Sequence, residues 1–174
     1  LTIPPGATII SIKCYSTGVL VLLSNGQVYA RGKTIAFVAT PPYITSTFTL
    51  APGNHSFTAI SMRRNNAGGI DTNGNMWGWG GESGTYFLSR NASFCDVSSI
   101  DPILITTASA GNFSWKTFAI GAFAHVAATT SGQLMTWGHN AAARLGIGLT
   151  VSQFSYTCSP VSTMAPIAHD GSMA

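Results

Sequence analysis

Residues 125–140 read HVAATTSGQLMTWGHN, and this stretch decides the fold. Val126 and Ala128 stand two residues apart, and that spacing is typical of a strand with one buried face. Ser131 and Gly132 then form a turn signal, and Leu134 resumes the apolar pattern beyond it. A short glycine turn between two such strands predicts a β-hairpin with a type I′ turn, which needs positive φ at both central residues.

The same pattern occurs three times. Its turn glycines are Gly26, Gly74 and Gly132, and the first two belong to Asn-Gly pairs, the strongest short hairpin signal. A second glycine follows each turn glycine by six residues, at Gly32, Gly80 and Gly138. Arg31, Trp79 and Trp137 stand directly before these second glycines. Upstream of each turn are two apolar residues in i, i+2 spacing, which predict a strand with a buried face: Ile12 and Cys14, Ile60 and Met62, Phe118 and Ile120.

Each unit therefore reads as strand, short connection, strand, tight hairpin, strand and glycine, followed by a long Ser/Thr/Pro-rich stretch. Alternation of apolar residues with a period of two, in units of about 50 residues, predicts meander sheets that pack face to face. Such a sheet of three or four strands buries its faces only in a ring or stack of similar sheets. The fold class is thus all-β, with about three antiparallel blades of a propeller.

The third unit resembles the repeat of the RCC1 family (regulator of chromosome condensation). Its tail, Arg144-Leu145-Gly146-Ile147-Gly148, matches the Gln-Leu-Gly-x-Gly end of that repeat, with Arg144 in place of Gln. The second unit keeps Asp71, Gly74, Trp79 and Gly80 but lacks this tail, and the first has Arg31 in place of the tryptophan. The resemblance implies structural repeat positions: Gly26, Gly32, Gly74, Trp79, Gly80, His125, Gly132, Trp137, Gly138, Leu145 and Gly146.

The chain is expected to be one partial propeller over residues 1–174. Its repeats span approximately residues 1–52, 53–102 and 103–160, and residues 161–174 begin a fourth unit. The resemblance implies a ring of about seven blades, and propellers in general use about 4–8. Three blades leave unpaired edges. Three explanations stay open: the chain is a segment, identical chains complete a ring, or another protein covers the edges.

Composition bears on the setting and on partners. Charged residues make up 7% of the chain, and the hydrophobic fraction is 45%. Low charge with abundant Gly, Ser, Thr and Asn predicts an extracellular or virion-surface protein, with an intracellular one as the alternative. The eight basic residues are scattered, which argues against nucleic-acid binding. No apolar run approaches the roughly 20 residues that span a bilayer.

No cofactor, metal or catalytic motif is expected. The four histidines and five acidic residues are dispersed, and the three cysteines form no CxxC pair. Cys95 and Cys158 follow glycine-rich turns and would pair in an oxidising compartment, while three unpaired thiols are the equal alternative. Asp71, Asn73 and Asn75 alternate as in a calcium loop, but no acidic residue closes it, so hairpin turn chemistry is the better interpretation.

Three residues are predicted to form a binding surface: Trp77, Trp115 and His139. Both tryptophans lie outside the repeat consensus, so we expect them to be exposed and able to stack on a glycan. His139 follows the Trp137-Gly138 pair and is expected at the surface. Length variation in the loops at residues 34–52, 81–102 and 147–160 predicts that they carry specificity.

The leading functional hypothesis is a non-catalytic module for structural assembly, adhesion or protein binding, with a protein partner or self-association. The RCC1 resemblance implies two alternatives, guanine-nucleotide exchange on a small GTPase and inhibition of an enzyme by a propeller face. Nucleotide exchange is disfavoured, because it calls for an acidic contact surface and a complete ring, and the chain has five acidic residues.

Overall fold

A computed structural model of the chain describes residues 1–15, 18–33, 44–80, 99–105, 113–122, 124–138 and 161–166. Within these segments the regular structure is entirely β-strand, in three antiparallel sheets of four strands each. The antiparallel blades expected from the repeat are confirmed. No helix in the described part of the chain has the length and apolarity needed to cross a membrane.

Every blade is a simple meander, in which neighbouring strands follow each other in sequence. The strands of blade 1 are β1 (Ile9–Tyr15), β2 (Gly18–Leu23), β3 (Val28–Lys33) and β4 (Ile44–Leu50). Those of blade 2 are β5 (Phe57–Arg63), β6 (Asn66–Asp71), β7 (Met76–Gly80) and β8 (Ser99–Leu104). Those of blade 3 are β9 (Trp115–Ile120), β10 (Ala124–Thr129), β11 (Leu134–Gly138) and β12 (Val161–Pro166).

The sequence pattern gave each unit three strands and missed the fourth strand of each blade. β4 falls inside the expected loop 34–52, β8 begins inside the expected loop 81–102 and extends beyond it to Leu104, and β12 lies in the stretch 161–174 that was expected to begin a fourth unit. β8 contains Pro102 and β12 ends at Pro166, and a proline is tolerated there because these are edge strands with no ladder to complete on one side. The parts of the loops at 34–43, 81–98 and 147–160 lie outside the described residues.

The three hairpin turns have one geometry, and it is not type I′. In the first, the Gly26 N–H donates to the Leu23 carbonyl at 2.9 Å, and the Leu23 N–H donates to the Gln27 carbonyl at 2.9 Å. The same two bonds recur around Gly74 and Gly132, which have φ of 78° and 89°. Arg64 is the only described non-glycine residue with positive φ, so one residue per turn is left-handed. This is a type I turn followed by a glycine bulge, the usual three-residue hairpin loop.

The second glycine of each unit marks a bulge between the third and fourth strands. Strand pairing shifts register between Ala30 and Gly32, and at the equivalent places in blades 2 and 3. All three second glycines, Gly32, Gly80 and Gly138, have positive φ, between 86° and 114°. Bulges increase local twist and bend a strand, and the positive φ of these glycines is the backbone conformation that accompanies each register shift.

Consecutive blades pack through opposite faces of their sheets. We call the sheet face that a blade turns toward the preceding blade its front face, and the opposite face its back face. Between blades 1 and 2 the buried residues are Leu20, Leu22, Val28, Ala30 and Ala51 from the back face, and Phe57, Ile60, Ala67 and Trp79 from the front face. Between blades 2 and 3 they are Ile70, Met76 and Ile105 from the back face, and Trp115, Phe118, Ile120, Ala127, Met135 and Trp137 from the front face.

The first strands of neighbouring blades contact each other, β1 with β5 and β5 with β9, so they form the inner side of an open arc of three blades. Among the described residues, no blade lies in front of the front face of blade 1. Ile12 is 56% exposed and Cys14 is exposed, so the prediction that this pair is buried was wrong, whereas the equivalent Ile60 and Phe118 are buried. The pattern was right about which face is apolar, but burial at Ile12 would also need a neighbouring blade, and the described residues place none there.

Candidate binding face at the hairpin end

The three hairpin turns lie at the same end of the arc, together with the connections that lead from one blade to the next. We call this surface the hairpin-end face. Its outermost residues are small, polar and uncharged. The exposed ones in the turns are Ser24, Asn25, Thr72, Asn73, Thr130, Ser131 and Gln133.

The turns of blades 1 and 2 are each joined to the next blade by a backbone hydrogen bond. The Phe57 N–H donates to the Gly26 carbonyl at 2.9 Å, and the Trp115 N–H donates to the Gly74 carbonyl at 2.8 Å. Because the turn glycine accepts from the first residue of the following blade, the spacing of neighbouring turns is fixed by the backbone. The hairpin-end face is thus a rigid row of equivalent polar loops, as precise recognition surfaces require.

Asp71 organises the middle turn. Its Oδ1 accepts from the backbone N–H groups of Asn73 and Asn75, both at 2.9 Å. Its Oδ2 accepts from Nδ2 of Asn75 at 3.0 Å and from Nε1 of Trp77 at 2.8 Å. The interpretation of residues 71–75 as hairpin turn chemistry is confirmed. Within the described segments no group of three His, Cys, Asp or Glu residues is arranged to hold a metal ion.

These bonds determine the charge state of Asp71. Burial by itself would raise the pKa of its carboxyl group, but the hydrogen bonds from Trp77 and Asn75 and from the backbone of Asn75 and Asn73 outweigh it. The pKa therefore lies below its ordinary value of 3.8. Asp71 is a fixed negative charge beneath a neutral surface at any pH near 7.

We expect the variant Asp71→Asn to unfold more easily at pH 7. An asparagine amide would place an N–H₂ donor against the donors of Trp77 and Asn75, so about 1–3 kcal/mol of unfolding free energy should be lost. Because the folded pKa is lowered, the stability from Asp71 is complete above pH 3.8 and disappears as the pH falls through the folded value. Urea denaturation at pH 7 and at descending pH should show the gap between wild type and variant closing in that window.

Asp101→Asn is the matched control, since Asp101 is an exposed carboxylate on β8. It should change the stability at pH 7 by less than about 1 kcal/mol, because the interactions of an exposed carboxylate contribute little. Equal stability of wild type and Asp71→Asn at pH 7 would contradict the role assigned to the Asp71 network.

A small cavity opens beside the join between blades 1 and 2. It has a volume of about 250 Å³ and is lined by Gln27, Val28, Leu50, Ala51, Gly53, Asn54 and His55. The His55 ring lies 4.0 Å from the Trp77 ring and 5.6 Å from the Phe57 ring, measured between centroids. An imidazole, two side-chain amides and an aliphatic wall give this cavity both hydrogen-bonding and apolar character.

The structure separates the three residues predicted to form a binding surface. Trp77 is half-buried at the hairpin end, where its indole N–H is bound to Asp71. Trp115 is 5% exposed and belongs to the core between blades 2 and 3, so the prediction that it is exposed was wrong. Trp115 is the repeat equivalent of Phe57, the first residue of β5. Each of these two rings packs between two blades, next to the turn glycine of the preceding blade. His139 lies outside the described residues, and the glycan prediction now depends on Trp77.

The positions implied to be structural are placed as follows. Trp79 and Trp137 are 0% and 3% exposed, each in a core between two blades. His125 is 2% exposed, with its ring 5.4 Å from that of Trp137. Leu145, Gly146, Cys95 and Cys158 lie outside the described residues, and Cys14 is free and exposed.

Sequence reasoning missed the contact of His55 with Trp77 and the cavity beside it. His55 lies in the connection between blades, and the repeat pattern assigns no role to that position. The one available signal was the Gly53-Asn54-His55-Ser56 run directly before β5, which marks a tight passage from one blade to the next.

No protein-family model and no curated protein matches the chain. Solved structures do. Prp20p from Saccharomyces cerevisiae, reported with its binding properties to Gsp1p and histones, matches with a TM-score of 0.72 and 18% identity over 97% of this chain and 38% of that chain. Yeast RCC1 (Prp20) bound to Kap60 matches with a TM-score of 0.70 and 17% identity over the same shares. Human WBSCR16 matches with a TM-score of 0.65 and 17% identity, over 79% of this chain and 35% of that chain.

These similarities show that the chain has an RCC1-like β-propeller fold, as the repeat predicted. The described blades form an open part of such a propeller. The chain spans less than two fifths of the length of each of these three proteins.

Proposed function

On the premise of this RCC1-like fold, we propose that the chain is a non-catalytic protein-binding module that recognises its partner through the hairpin-end face. The observation that carries the proposal is the rigid register of three equivalent turns, each bearing exposed hydroxyl or amide groups. Such a surface offers many neutral donors and acceptors at fixed spacing, with little side-chain entropy to lose on binding.

The chemistry of the face defines the partner. The exposed turn residues carry no charge, and Asp71, the carboxylate that the described residues place beside them, is buried and fully engaged. The partner should therefore be a neutral, polar protein surface that docks by hydrogen bonds rather than by charge. A partner residue that enters the cavity beside His55 would supply an apolar anchor.

The similar structures are consistent with protein binding, since Prp20p is described with Gsp1p, histones and Kap60. Nucleotide exchange and enzyme inhibition remain the alternative functions for this fold. The setting is proposed from composition alone: extracellular or virion-surface, with intracellular as the alternative.

The proposal can be tested by site-specific photo-crosslinking in the native extract. A benzoylphenylalanine at Asn73 or at Ser131, both exposed turn tips, should trap the same partner protein. The matched control is Ser46, an exposed residue of the outer strand β4, which should trap none of it. After the partner is purified, Asn73→Arg and Ser131→Arg should each weaken its binding at least about tenfold, because each buries an unpaired charge.

Two results would contradict the proposal. One is trapping of the partner from Ser46 but from neither turn tip, which would place the interface elsewhere. The other is acceleration of GDP release from a small GTPase by the purified chain, which would favour nucleotide exchange.

A further inference from the structure

The small cavity at the hairpin end is bounded by a connection that is fixed at both ends. This connection, residues 51–56, leads from β4 of blade 1 to β5 of blade 2. At its start, the Ala51 N–H donates to the Val28 carbonyl at 2.8 Å. Directly after its end, the Phe57 N–H donates to the Gly26 carbonyl at 2.9 Å. The cavity is therefore preformed, and a ligand would lose little affinity to ordering it.

The bottom and one wall of the cavity are apolar. Val28 and Ala51 line it and are 1% and 6% exposed, whereas Leu50 beside them is 46% exposed. The volume of about 250 Å³ is smaller than the roughly 300–1,000 Å³ of pockets that enclose drug-sized ligands. The cavity therefore has room for one side chain or one ring, but not for a nucleotide or a cofactor of similar size.

Three neutral polar side chains complete the described lining: Gln27, Asn54 and His55. Nδ2 of Asn25 donates to Oε1 of Gln27 at 2.9 Å, which orients the Gln27 amide and leaves its N–H₂ group as a donor. The described residues form no hydrogen bond with the Asn54 side chain or with the His55 imidazole. The cavity thus offers both donors and acceptors to a ligand, and none of the described residues that line it is Lys, Arg, Asp or Glu.

The imidazole of His55 is held in place by neighbouring rings and by the backbone. Its centroid lies 4.0 Å from that of Trp77 and 5.6 Å from that of Phe57. The indole N–H of Trp77 is in turn bound to Oδ2 of Asp71 at 2.8 Å. A Cβ atom on Gly53 would lie 2.7 Å from Nε2 of His55, so the chain approaches the ring closely there. An imidazole positioned in this way can make a directed hydrogen bond to a ligand.

These features narrow the choice of side chain that the cavity can accept. A charged group would leave water without meeting an opposite charge in the described lining, which is costly. An aliphatic side chain would cover the imidazole and the two amides without pairing them, and unpaired polar groups cost binding free energy. The occupant should therefore combine an apolar body with a neutral polar tip that both donates and accepts. The phenol of tyrosine has this combination in one rigid ring, at a low cost in conformational entropy.

We propose that the cavity beside His55 takes a tyrosine side chain of the protein partner. The proposal rests on the proposed protein-binding function and names the anchor residue of that partner. The tyrosine ring packs on Leu50 and Val28, and its hydroxyl group exchanges hydrogen bonds with His55 and Asn54. An aromatic anchor that fills a pocket in this way is a frequent source of binding energy at protein interfaces.

The test uses two blocked amino acids that differ by one hydroxyl group, N-acetyl-tyrosinamide and N-acetyl-phenylalaninamide. Each is titrated into the 174-residue chain, and nuclear magnetic resonance follows the backbone amides of Ala51 and His55 and the indole N–H of Trp77. We expect the tyrosine probe to shift these signals with a millimolar dissociation constant, as is usual for so small a ligand. The phenylalanine probe should bind at least about fivefold more weakly, because it leaves the polar lining groups unpaired.

Two variants separate the apolar contact from the hydrogen bonds. Leu50→Ala removes an exposed wall, so it should stay folded and bind the tyrosine probe at least about threefold more weakly. His55→Phe keeps an aromatic ring beside Trp77 but removes the hydrogen-bonding nitrogens, so the preference for the tyrosine probe over the phenylalanine probe should fall.

Leu104→Ala is the matched control. Leu104 pairs with Trp77 in blade 2 as Leu50 pairs with Tyr29 in blade 1, and it is 37% exposed. It does not line the cavity, so this variant should bind the tyrosine probe as the wild type does. An equal loss of affinity in Leu50→Ala and Leu104→Ala would place the probe elsewhere and overturn the proposal.

Two further results would overturn the assignment of the cavity to tyrosine. One is equal binding of the two probes, or no shift at Ala51 and His55 with either. The other is a shift of the same signals by methyl glycosides in place of the tyrosine probe, which would assign the cavity to a glycan. Neither result touches the hairpin-end face, whose own test is the trapping of a partner from Asn73 and Ser131. A chain that binds the tyrosine probe but traps no partner would contradict the proposed function and still support the preference of the cavity for a phenol.

Discussion

Replacing Trp79 with alanine should lower the free energy of unfolding by about 3–5 kcal/mol, the usual cost of truncating a fully buried aromatic ring. The Trp79 side chain is 0% exposed, in the core between blades 1 and 2, where its ring centroid lies 5.9 Å from that of Phe57. Alanine would leave a cavity bounded by two different sheets, and neither sheet can collapse into it without shifting the other. Urea denaturation at matched protein concentration measures the loss.

The repeat supplies a control at an equivalent position. Arg31 precedes the second glycine of blade 1 as Trp79 does in blade 2, but it is exposed. Arg31→Ala should therefore change the unfolding free energy by less than about 0.5 kcal/mol. Trp137→Ala should resemble Trp79→Ala, since Trp137 is 3% exposed in the second core. A loss below about 1 kcal/mol for both tryptophans would show that these blades are not held together through this position.

The contrast between Arg31 and Trp79 shows what the sequence could predict. Register alone aligned the two residues and showed that one is charged and the other aromatic. The alternation of apolar residues identified the faces of the strands, because a side-chain period of two is a local property. The fold class therefore followed from residues a few positions apart.

Burial depends instead on which blade lies in front, and that is not a local property. Ile12 and Ile60 occupy equivalent positions with the same side chain, yet one is exposed and the other buried. Trp115 was misjudged for a related reason. It stands outside the repeat consensus, but its place at the start of β9 brings its ring behind the turn of the preceding blade. The fourth strands were missed because edge strands tolerate prolines and polar residues that weaken the alternating pattern.

The candidate binding face was predictable only in part. The turn signals placed the three hairpins and their glycines, and the residue types of 71–75 indicated local hydrogen bonding. The turn type was misjudged, because a two-residue and a three-residue hairpin loop share the Asn-Gly signal. The His55 cavity depends on contacts between two blades, and no spacing within one repeat reveals such contacts.

Gly26→Ala should be the second strongly destabilising change, by about 2–5 kcal/mol. Gly26 has φ of 81°, where a side chain costs about 1–2 kcal/mol. A Cβ atom there would also lie 3.0 Å from Cα of Ser56 and 3.1 Å from the Phe57 nitrogen, so the next blade must move. Forcing extra atoms into such a packed site costs about 1–3 kcal/mol more.

Gly132→Ala separates these two costs within the same repeat. Gly132 has φ of 89°, but no atom lies within 4 Å of the added carbon, so only the backbone strain of about 1–2 kcal/mol should appear.

Gly74→Ala should fall between Gly26→Ala and Gly132→Ala in its loss of stability, since its added carbon meets mainly the Ser114 side chain. Adding Ser114→Ala to Gly74→Ala should therefore recover part of its loss, a coupling that a double-mutant cycle measures. Equal losses at Gly26 and Gly132 would mean that the turns are strained but do not join the blades.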